Sequence, residues 1–256
     1  MSTEFGGLLR QWREARRLSQ LDLGLSANVS ARHISFLETG RARPSRAMVL
    51  NLGSVLEVPR GSRNAMLHAA GFAPGYRARG LDEAEMAPVS AALGWMLERH
   101  LPYPAFVLDR HWRLVRVNAT AGMLLGQMGL GEGTSLIEAL LDQTRLPAVI
   151  ENWQEVAQHL LQRLRTESAH LGGDAWLNEM AARLADQLGD AAPGPGSQAI
   201  VPTRYRLGET TLSLFSTMSQ FSTAEDITLA DWKIEHLFPA DEATRQMLEL
   251  LAAGGG

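Results

Sequence analysis

The chain has 256 residues, 45% of them hydrophobic and 20% charged, with a formal net charge of −4 at pH 7. This length predicts two domains rather than one, and the apolar content is sufficient for a core in each. The absence of cysteine excludes disulfides, cysteine-ligated zinc fingers and thiol catalysis, and with no membrane-length apolar run and no secretory signal the expected location is cytoplasmic.

Five helices are predicted in the first 70 residues or so. Apolar side chains at helical spacing, such as Phe5, Leu9 and Trp12, predict the first. Serine caps predict the beginnings of later ones, and Gly40 ends the third as a C′ glycine. The predicted helices cover residues 5–17, 20–26, 31–39, 46–56 and 60–70, with a tight turn at 27–29. Two short helices joined by such a turn indicate a helix-turn-helix motif with residues 31–39 as recognition helix.

The motif residues of this segment resemble one repressor family. They are Leu18-Ser19-Gln20, Val29-Ser30, Ile34-Ser35-x-Leu37-Glu38-x-Gly40-x-x-x-Pro44 and Leu56-x-Val58-Pro59. In this order they resemble the Cro/C1-type phage repressors, the XRE family, and the resemblance spans the whole module. It implies an all-α, five-helix DNA-binding domain.

The resemblance also implies roles for residues that contact DNA. Gln20 corresponds to a phosphate clamp, and Arg32 is the strongest base reader because a guanidinium can pair with guanine O6 and N7. His33 contacts DNA or lies on the flank, as two open alternatives. The DNA-contacting set is Gln20, Ser30, Ala31, Arg32, His33, Ser35, Phe36, Arg41 and Arg43. Arg13 and Glu38 correspond to a largely buried structural ion pair, the alternative being two independent surface charges.

A linker separates two parts of opposite charge. Residues 71–80 are rich in glycine, proline and arginine, and the predicted domains are 1–72 and 83–256, joined by 73–82. Up to Gly80 there are 12 arginines and five acidic residues, whereas the rest holds 12 basic and 23 acidic residues. This asymmetry in charge is typical of a polyanion-binding domain attached to an acidic domain. The alternative is that the basic first part is only a solvated surface and binds no polyanion.

The acidic part is predicted to be α+β, an antiparallel sheet covered by helices. A β-hairpin is predicted at 105–118 from alternating residues around a turn. Helices are predicted at 81–100, 119–127, 150–170 and 175–188, a flexible loop at 189–197, and strands at 204–207, 210–218 and 227–237.

A second resemblance covers about 150 residues of this part. Its residues are Pro102-x-Pro104-Ala105-Phe106-Val107-Leu108-Asp109-x-x-Trp112-x-Leu114-x-x-x-Asn118, with Asn152-Trp153 further on. They resemble the MmyB-like ligand-binding domain, which is PAS-like. The resemblance implies an apolar small ligand, fatty-acid-like or otherwise. The end of the chain departs from the commonest form and leaves the ligand class open.

A cavity between sheet and helices is the expected ligand site. Its predicted wall residues are Phe106, Trp112, Met123, Trp153, Phe215 and Trp232. His159 or Arg163 is predicted to hold a carboxylate or other polar head. For the wall residues ordinary core packing is the alternative, and for His159 and Arg163 it is a solvated helix face.

Catalysis is not predicted, because no acid, base or nucleophile set converges. The run Gly129-Leu130-Gly131 lacks the strand and lysine of a phosphate loop, and no metal site or cofactor is predicted. The expected function is a sequence-specific DNA-binding transcription regulator, a homodimer on operator DNA that senses a small apolar ligand. The alternative is an antitoxin-like or scaffold protein whose second domain binds a protein partner.

Overall fold

A computed structural model describes residues 4–142, 144, 149–189, 200–221 and 224–254. The chain divides into two compact units, and each is described by itself. One consists of Met1–Ala78, Thr166–Ala175 and Ala224–Ile227, and the other of Arg79–Arg165, Trp176–Thr223 and Thr228–Gly256. The division after Ala78 lies within the predicted linker, while the domain bounds 1–72 and 83–256 stay predictions.

The first unit contains five short helices, as predicted. They are α1 (Glu4–Ala15), α2 (Gln20–Ala27), α3 (Ala31–Glu38), α4 (Arg46–Val55) and α5 (Arg60–Ala69). Ser19, Ser30 and Ser45 cap α2, α3 and α4, each accepting a hydrogen bond from the backbone N–H three residues later. Because these caps and the apolar spacing are local signals, the predicted helix ends agree with the structure to within two residues.

The turn between α2 and α3 depends on a close backbone approach. Asn28 ends α2 with a φ of 54°, in the left-handed region that asparagine tolerates. The Val29 N–H donates to the Gly24 carbonyl at 2.8 Å. A Cβ atom on Gly24 would lie 2.6 Å from the Val29 oxygen, so the turn requires glycine at this position. The turn places Ile34 and Leu37 of α3 in the core of the bundle.

The second unit is α+β, as predicted. A five-stranded antiparallel sheet has the order β2-β1-β5-β4-β3. The strands are β1 (Ala105–Leu108), β2 (Leu114–Val117), β3 (Thr203–Leu207), β4 (Thr210–Ser219) and β5 (Lys233–Pro239). The further helices of the chain are α6 (Ala87–Arg99), α7 (Ala119–Gln127), α8 (Leu136–Leu141), α9 (Trp153–His170), α10 (Ala175–Leu188), α11 (Ile227–Asp231) and α12 (Glu242–Gly254). Most of their residues belong to the second unit, while the end of α9 and the first residues of α10 and α11 belong to the first. Among the described residues, no helix combines the length and apolarity needed to cross a membrane.

Strand alternation gives the sheet two distinct surfaces. On one surface, called here the α6 face, Val107 and Ile234 pack in a buried cluster with Leu93 and Leu97 of α6. On the other, called the α9 face, Phe106 of β1 pairs in register with Glu235 of β5. Helices α8 and α9 cover the α9 face, so charged residues of β5 point toward them and not toward bulk solvent.

Two predicted elements differ in the structure. The strand predicted at 227–237 is wrong in its first part: Ile227–Asp231 is a helix, and β5 covers Lys233–Pro239. Short apolar runs fit helix and strand patterns equally well, and this run is one of them. The helix predicted at 81–100 begins later: a short 3₁₀ turn, Ala84–Met86, precedes α6, whose first turn contains Pro88.

Helices α8 and α12 were not predicted, although each follows a capping residue. Ser135 caps α8, and Asp241 Oδ1 accepts a hydrogen bond from Thr244 N at 2.7 Å, before the first turn of α12. The helix predicted from residue 150 begins instead at Trp153, because Ile150 forms an isolated β-bridge with Tyr205. Most of the flexible loop predicted at 189–197 lies outside the described residues.

Candidate DNA-binding surface and ligand cleft

Helix α3 has a buried side and an open side. Ile34 and Leu37 are fully buried, whereas Arg32 is exposed. The Arg32 guanidinium lies over the Phe36 ring, 5.2 Å from its centroid, so one base-facing candidate orients the other. The partly exposed residues of α3 are Ala31, His33, Ser35 and Phe36. This open side is long enough for a few contacts and carries one strong hydrogen-bond donor.

Exposed polar and basic groups flank both ends of α3. Ser30 caps its beginning, with Oγ accepting from the His33 N–H at 3.2 Å. Beyond its end, Arg41 and Arg43 are exposed, and the Arg41 N–H donates to the Phe36 carbonyl at 2.8 Å. Helix N-termini and arginines are the groups that bind phosphate, so both ends suit contact with a nucleic-acid backbone.

A buried carboxylate links three helices. Glu38 of α3 is 5% exposed, and its Oε1 lies 2.6 Å from Arg13 Nε of α1. Its other oxygen, Oε2, accepts from Arg13 Nη2 at 3.1 Å and from Gln20 Nε2 of α2 at 2.8 Å. The hydrogen bond to Glu38 raises the pKa of Arg13 above its ordinary value. This is a two-pronged arginine–carboxylate pair, the strongest geometry for such a contact.

Gln20 therefore sits beside the carboxylate and not in open solvent. Its amide nitrogen has two hydrogens, so the hydrogen bond to Glu38 leaves a second donor for a phosphate. Donation to Glu38 also fixes the orientation of the amide. The structure shows this orientation, while the contact of Gln20 with phosphate stays a prediction.

A cleft of about 400 Å³ lies between the α9 face of the sheet and helices α8 and α9. A smaller cavity of about 90 Å³, lined almost wholly by apolar side chains, adjoins it and extends to α7. The residues shared by both are Phe106, Leu136, Leu140, Ile150, Tyr205, Leu214 and Leu237. The cavity is thus apolar and the neighbouring cleft partly polar, which suits a molecule with the same division.

Charged side chains and one indole form the polar end. Arg163 Nη2 lies 2.5 Å from Glu235 Oε1. The Arg163 guanidinium is also 4.2 Å from the centroid of the Trp112 ring, and Lys233 Nζ is 4.6 Å from it. Lys233 and Glu235 are 4% and 6% exposed, so these charges are removed from bulk water. Buried charges of this kind persist only with partners, which they have here in one another and in the ring.

The backbone places Trp112 in a conformation that is rare for a bulky residue. Its φ is 58°, in the left-handed region. Asp109 stabilises the turn: its Oδ1 accepts from the N–H groups of His111 and Arg113, at 2.8 and 2.9 Å. Non-glycine residues in this region cluster at functional sites, where the surrounding structure maintains them. Here the turn places the indole at the cleft.

The structure brings four of the eight predicted ligand-site residues to the cleft: Phe106, Trp112, His159 and Arg163. Phe215 is on the α6 face, where its ring stacks on Phe238, and Trp232 is buried in the same cluster as α6. Met123 is 40% exposed on α7, and Trp153 lies half-buried at the beginning of α9. None of these four is among the described residues that line the cleft, and their role as ligand walls stays a prediction.

Four polar residues that line the cleft were not predicted: Thr203, Tyr205, Ser216 and Glu235. In the sequence, Glu235 is an acidic residue that alternates with apolar residues in a strand. This pattern is equally typical of a solvent-facing position, so it does not indicate a cleft. Tyr205 is half-buried, and burial together with the nearby Glu235 raises the pKa of its hydroxyl to about 12. Its hydroxyl therefore stays protonated at neutral pH.

Comparisons with known proteins agree with the two-domain interpretation. The family model of the MmyB-like transcription regulator ligand binding domain matches residues 89–251, which is more than half of the chain. A helix-turn-helix domain model matches residues 4–66. No curated protein matches the chain.

Two solved structures show weak similarity. One is the PAS domain from Bordetella pertussis BvgS, 14% identical, covering 64% of this chain and 98% of that one with a TM-score of 0.27. The other is an RNA-binding Light-Oxygen-Voltage receptor, 14% identical, covering 98% of this chain and 62% of that one with a TM-score of 0.28. From its two family matches, the chain belongs to the MmyB-like transcription regulators and combines a helix-turn-helix domain with a ligand-binding domain.

Proposed function

We propose that the chain binds operator DNA in a sequence-specific way, as a homodimer, with α3 in the major groove. The observation that supports this most directly is the open side of α3, where Arg32 is exposed between a capped N-terminus and two exposed arginines. Arg32 contacts guanine O6 and N7, while Ala31 and Phe36 offer only apolar contact, for example to a thymine methyl.

The affinity comes mainly from the backbone of the DNA. Gln20, Arg41 and Arg43 contact phosphates, and these contacts release counterions, so binding falls steeply with salt. Because α3 has only one side chain that can form strong hydrogen bonds to a base, specificity also depends on the spacing between the two DNA-binding domains of the dimer. In a symmetric dimer the recognition helices lie about 34 Å apart, one turn of DNA, on a pseudo-palindromic operator.

The second domain binds a small molecule with an apolar chain, fatty-acid-like in its tail. The support is the cleft on the α9 face, with its apolar side cavity. Binding there biases the DNA-competent and DNA-incompetent states of the dimer, because a ligand shifts an equilibrium by its difference in affinity for the two states.

The test begins with selection of duplexes from a randomised DNA library by the full chain. We expect enrichment of a two-fold symmetric site, with sedimentation showing a dimer. On the selected site, Arg32→Ala should cost about 1–3 kcal/mol and flatten base preference at the contacted pair. The control is Arg10→Ala, because Arg10 is paired with Glu14 on α1 and should leave base preference unchanged. An unaltered footprint in the Arg32 variant would show that α3 is not the reading helix.

A further inference from the structure

Among the described residues, the arginine and lysine side chains around the polar end of the cleft are matched in number by carboxylates. Arg163 pairs with Glu235 at 2.5 Å, and Arg110 Nη1 lies 3.8 Å from Asp231 Oδ2. Asp231 also interacts electrostatically with Asp109 and with Lys233, which borders the Trp112 ring. The arginine, lysine and carboxylate groups around this end are three cations and three carboxylates: Arg110, Arg163, Lys233, Asp109, Asp231 and Glu235. Two imidazoles are also present, since His159 lines the cleft and His111 interacts with Asp231. An anionic head group would therefore bring an extra charge into a balanced and largely buried cluster.

Glu235 acts most directly against an anionic head. It lines the cleft and is 6% exposed. Its Oε1 lies close to Arg163 Nη2, but the approach is not aligned as a hydrogen bond, and Oε1 accepts none from the described residues. A second carboxylate near Arg163 would lie against Glu235, and two carboxylates that share a site cannot both ionise freely. By contrast, a hydrogen-bond donor beside Glu235 would supply the aligned contact that Oε1 lacks.

We propose that the cleft binds an aliphatic molecule whose head group is uncharged and both accepts and donates hydrogen bonds, as an amide does. The amide oxygen accepts from the Arg163 guanidinium, and the amide N–H donates to Glu235. The aliphatic chain extends past Phe106 and Leu214 into the apolar cavity, which these residues share with the cleft. This inference rests on the proposed ligand-binding function and narrows it, because a plain fatty acid satisfies Arg163 but places its carboxylate against Glu235.

Three probes with the same chain length separate the effect of head-group charge from the effect of a hydrogen-bond donor. They are decanamide, decanoate and methyl decanoate. The amide donates and accepts, the acid is anionic, and the ester accepts only. Binding to the full chain is measured by titration calorimetry. We expect decanamide to bind about tenfold more tightly than decanoate, and more tightly than the ester. In Glu235→Gln the amide–acid difference should shrink to about threefold or less, because the repelling charge is gone. The control is Glu209→Gln, an exposed glutamate in the β3–β4 turn, which should keep the wild-type ratio.

A second measurement counts protons in the His159→Gln variant, because the His159 imidazole lines the cleft and takes up a proton itself if an anion binds beside it. When decanoate binds this variant, it should take up about one proton, since the site favours the uncharged acid. Decanamide should take up none, and calorimetry in two buffers of different ionisation enthalpy gives these numbers. If decanoate bound more tightly than decanamide and took up no proton, the site would not prefer an uncharged head group and the proposal would be wrong. Equal binding of the ester and the amide would show that the ligand donates no hydrogen bond to Glu235 that contributes to affinity. Failure of all three probes to bind would count against this inference; if extracts of the purified chain also contained no small molecule, the ligand-sensing function itself would fail.

Discussion

Gln20 donates a hydrogen bond of 2.8 Å to Glu38, the carboxylate that also pairs with Arg13. The residue predicted to clamp a phosphate is thus fixed in place by a residue at the end of α3. One carboxylate contributes to the stability of the bundle and also orients the amide that is predicted to contact DNA.

Gln20→Ala should weaken binding to every DNA sequence by the same factor, because a phosphate contact carries no base information. The slope of affinity against salt should change little, since an uncharged amide releases no counterion of its own. Fluorescence anisotropy on selected and scrambled duplexes measures both quantities. If only the selected duplex lost affinity, Gln20 would be reading sequence and its assignment to phosphate would be wrong.

Glu38→Ala should destabilise the first unit by about 3–5 kcal/mol, because it leaves the Arg13 guanidinium buried without its partner. Hydrogen exchange of the core amides of α1 and α3, followed by mass spectrometry in the full chain, reports this local free energy. The control is Arg10→Ala. Its pair with Glu14 is also short, at 2.7 Å, but both side chains are more than half exposed, so little change is expected. Equal effects of the two substitutions would show that burial does not set the strength of the Arg13 pair.

Gly24→Ala should destabilise the turn between α2 and α3, because the added Cβ would lie 2.6 Å from the Val29 oxygen. Overpacking of this kind costs about 1–3 kcal/mol, and it should reduce DNA affinity because α3 is displaced. The control is Gly126→Ala in α7, where nothing lies within 4 Å of the added atom. Helix propensity predicts that this control is neutral or stabilising by up to about 1 kcal/mol. Hydrogen exchange at α2 and α7 tests the pair, and a harmless Gly24→Ala would contradict the close approach.

Lowering the pH should reduce the folding stability of the second unit, because His236 resists protonation in the folded chain. Burial first, and then the neighbouring His100, lowers the pKa of His236 below its ordinary value of 6.5. As pH falls through this ordinary value, the unfolded chain takes up a proton that the folded chain resists, so folding stability falls. Well above pH 6.5 His236 is neutral in both the folded and the unfolded chain, so it no longer changes the folding stability. Thermal midpoints at about pH 7.5 and about pH 5.5 measure this change, which His236→Gln should reduce. The exposed His68→Gln should leave the pH dependence as in the wild type.

The sequence predicts the first unit well because its signals are local. Ser30 caps α3 and Gly40 follows its end, and neither depends on distant residues. The cleft was only partly predictable, since aromatic type does not reveal which face of a sheet a residue occupies. Phe106 and Phe215 are both strand aromatics, yet they lie on opposite faces. The face of each depends on pairing with β5, more than a hundred residues from β1, and no local pattern encodes that register.

Strand β5 occupies the middle of the sheet and alternates between two incompatible surroundings. Lys233 and Glu235 point to the α9 face, whereas Ile234 packs in the apolar cluster of α6. Deleting or inserting one residue at the beginning of β5 would exchange these faces along the rest of the strand. Two charges would then enter the α6 cluster, and the cleft would lose its carboxylate. Lineages that share this domain should therefore vary freely in the loops around β5, but keep the length of the strand and the alternation of polar and apolar side chains at its beginning.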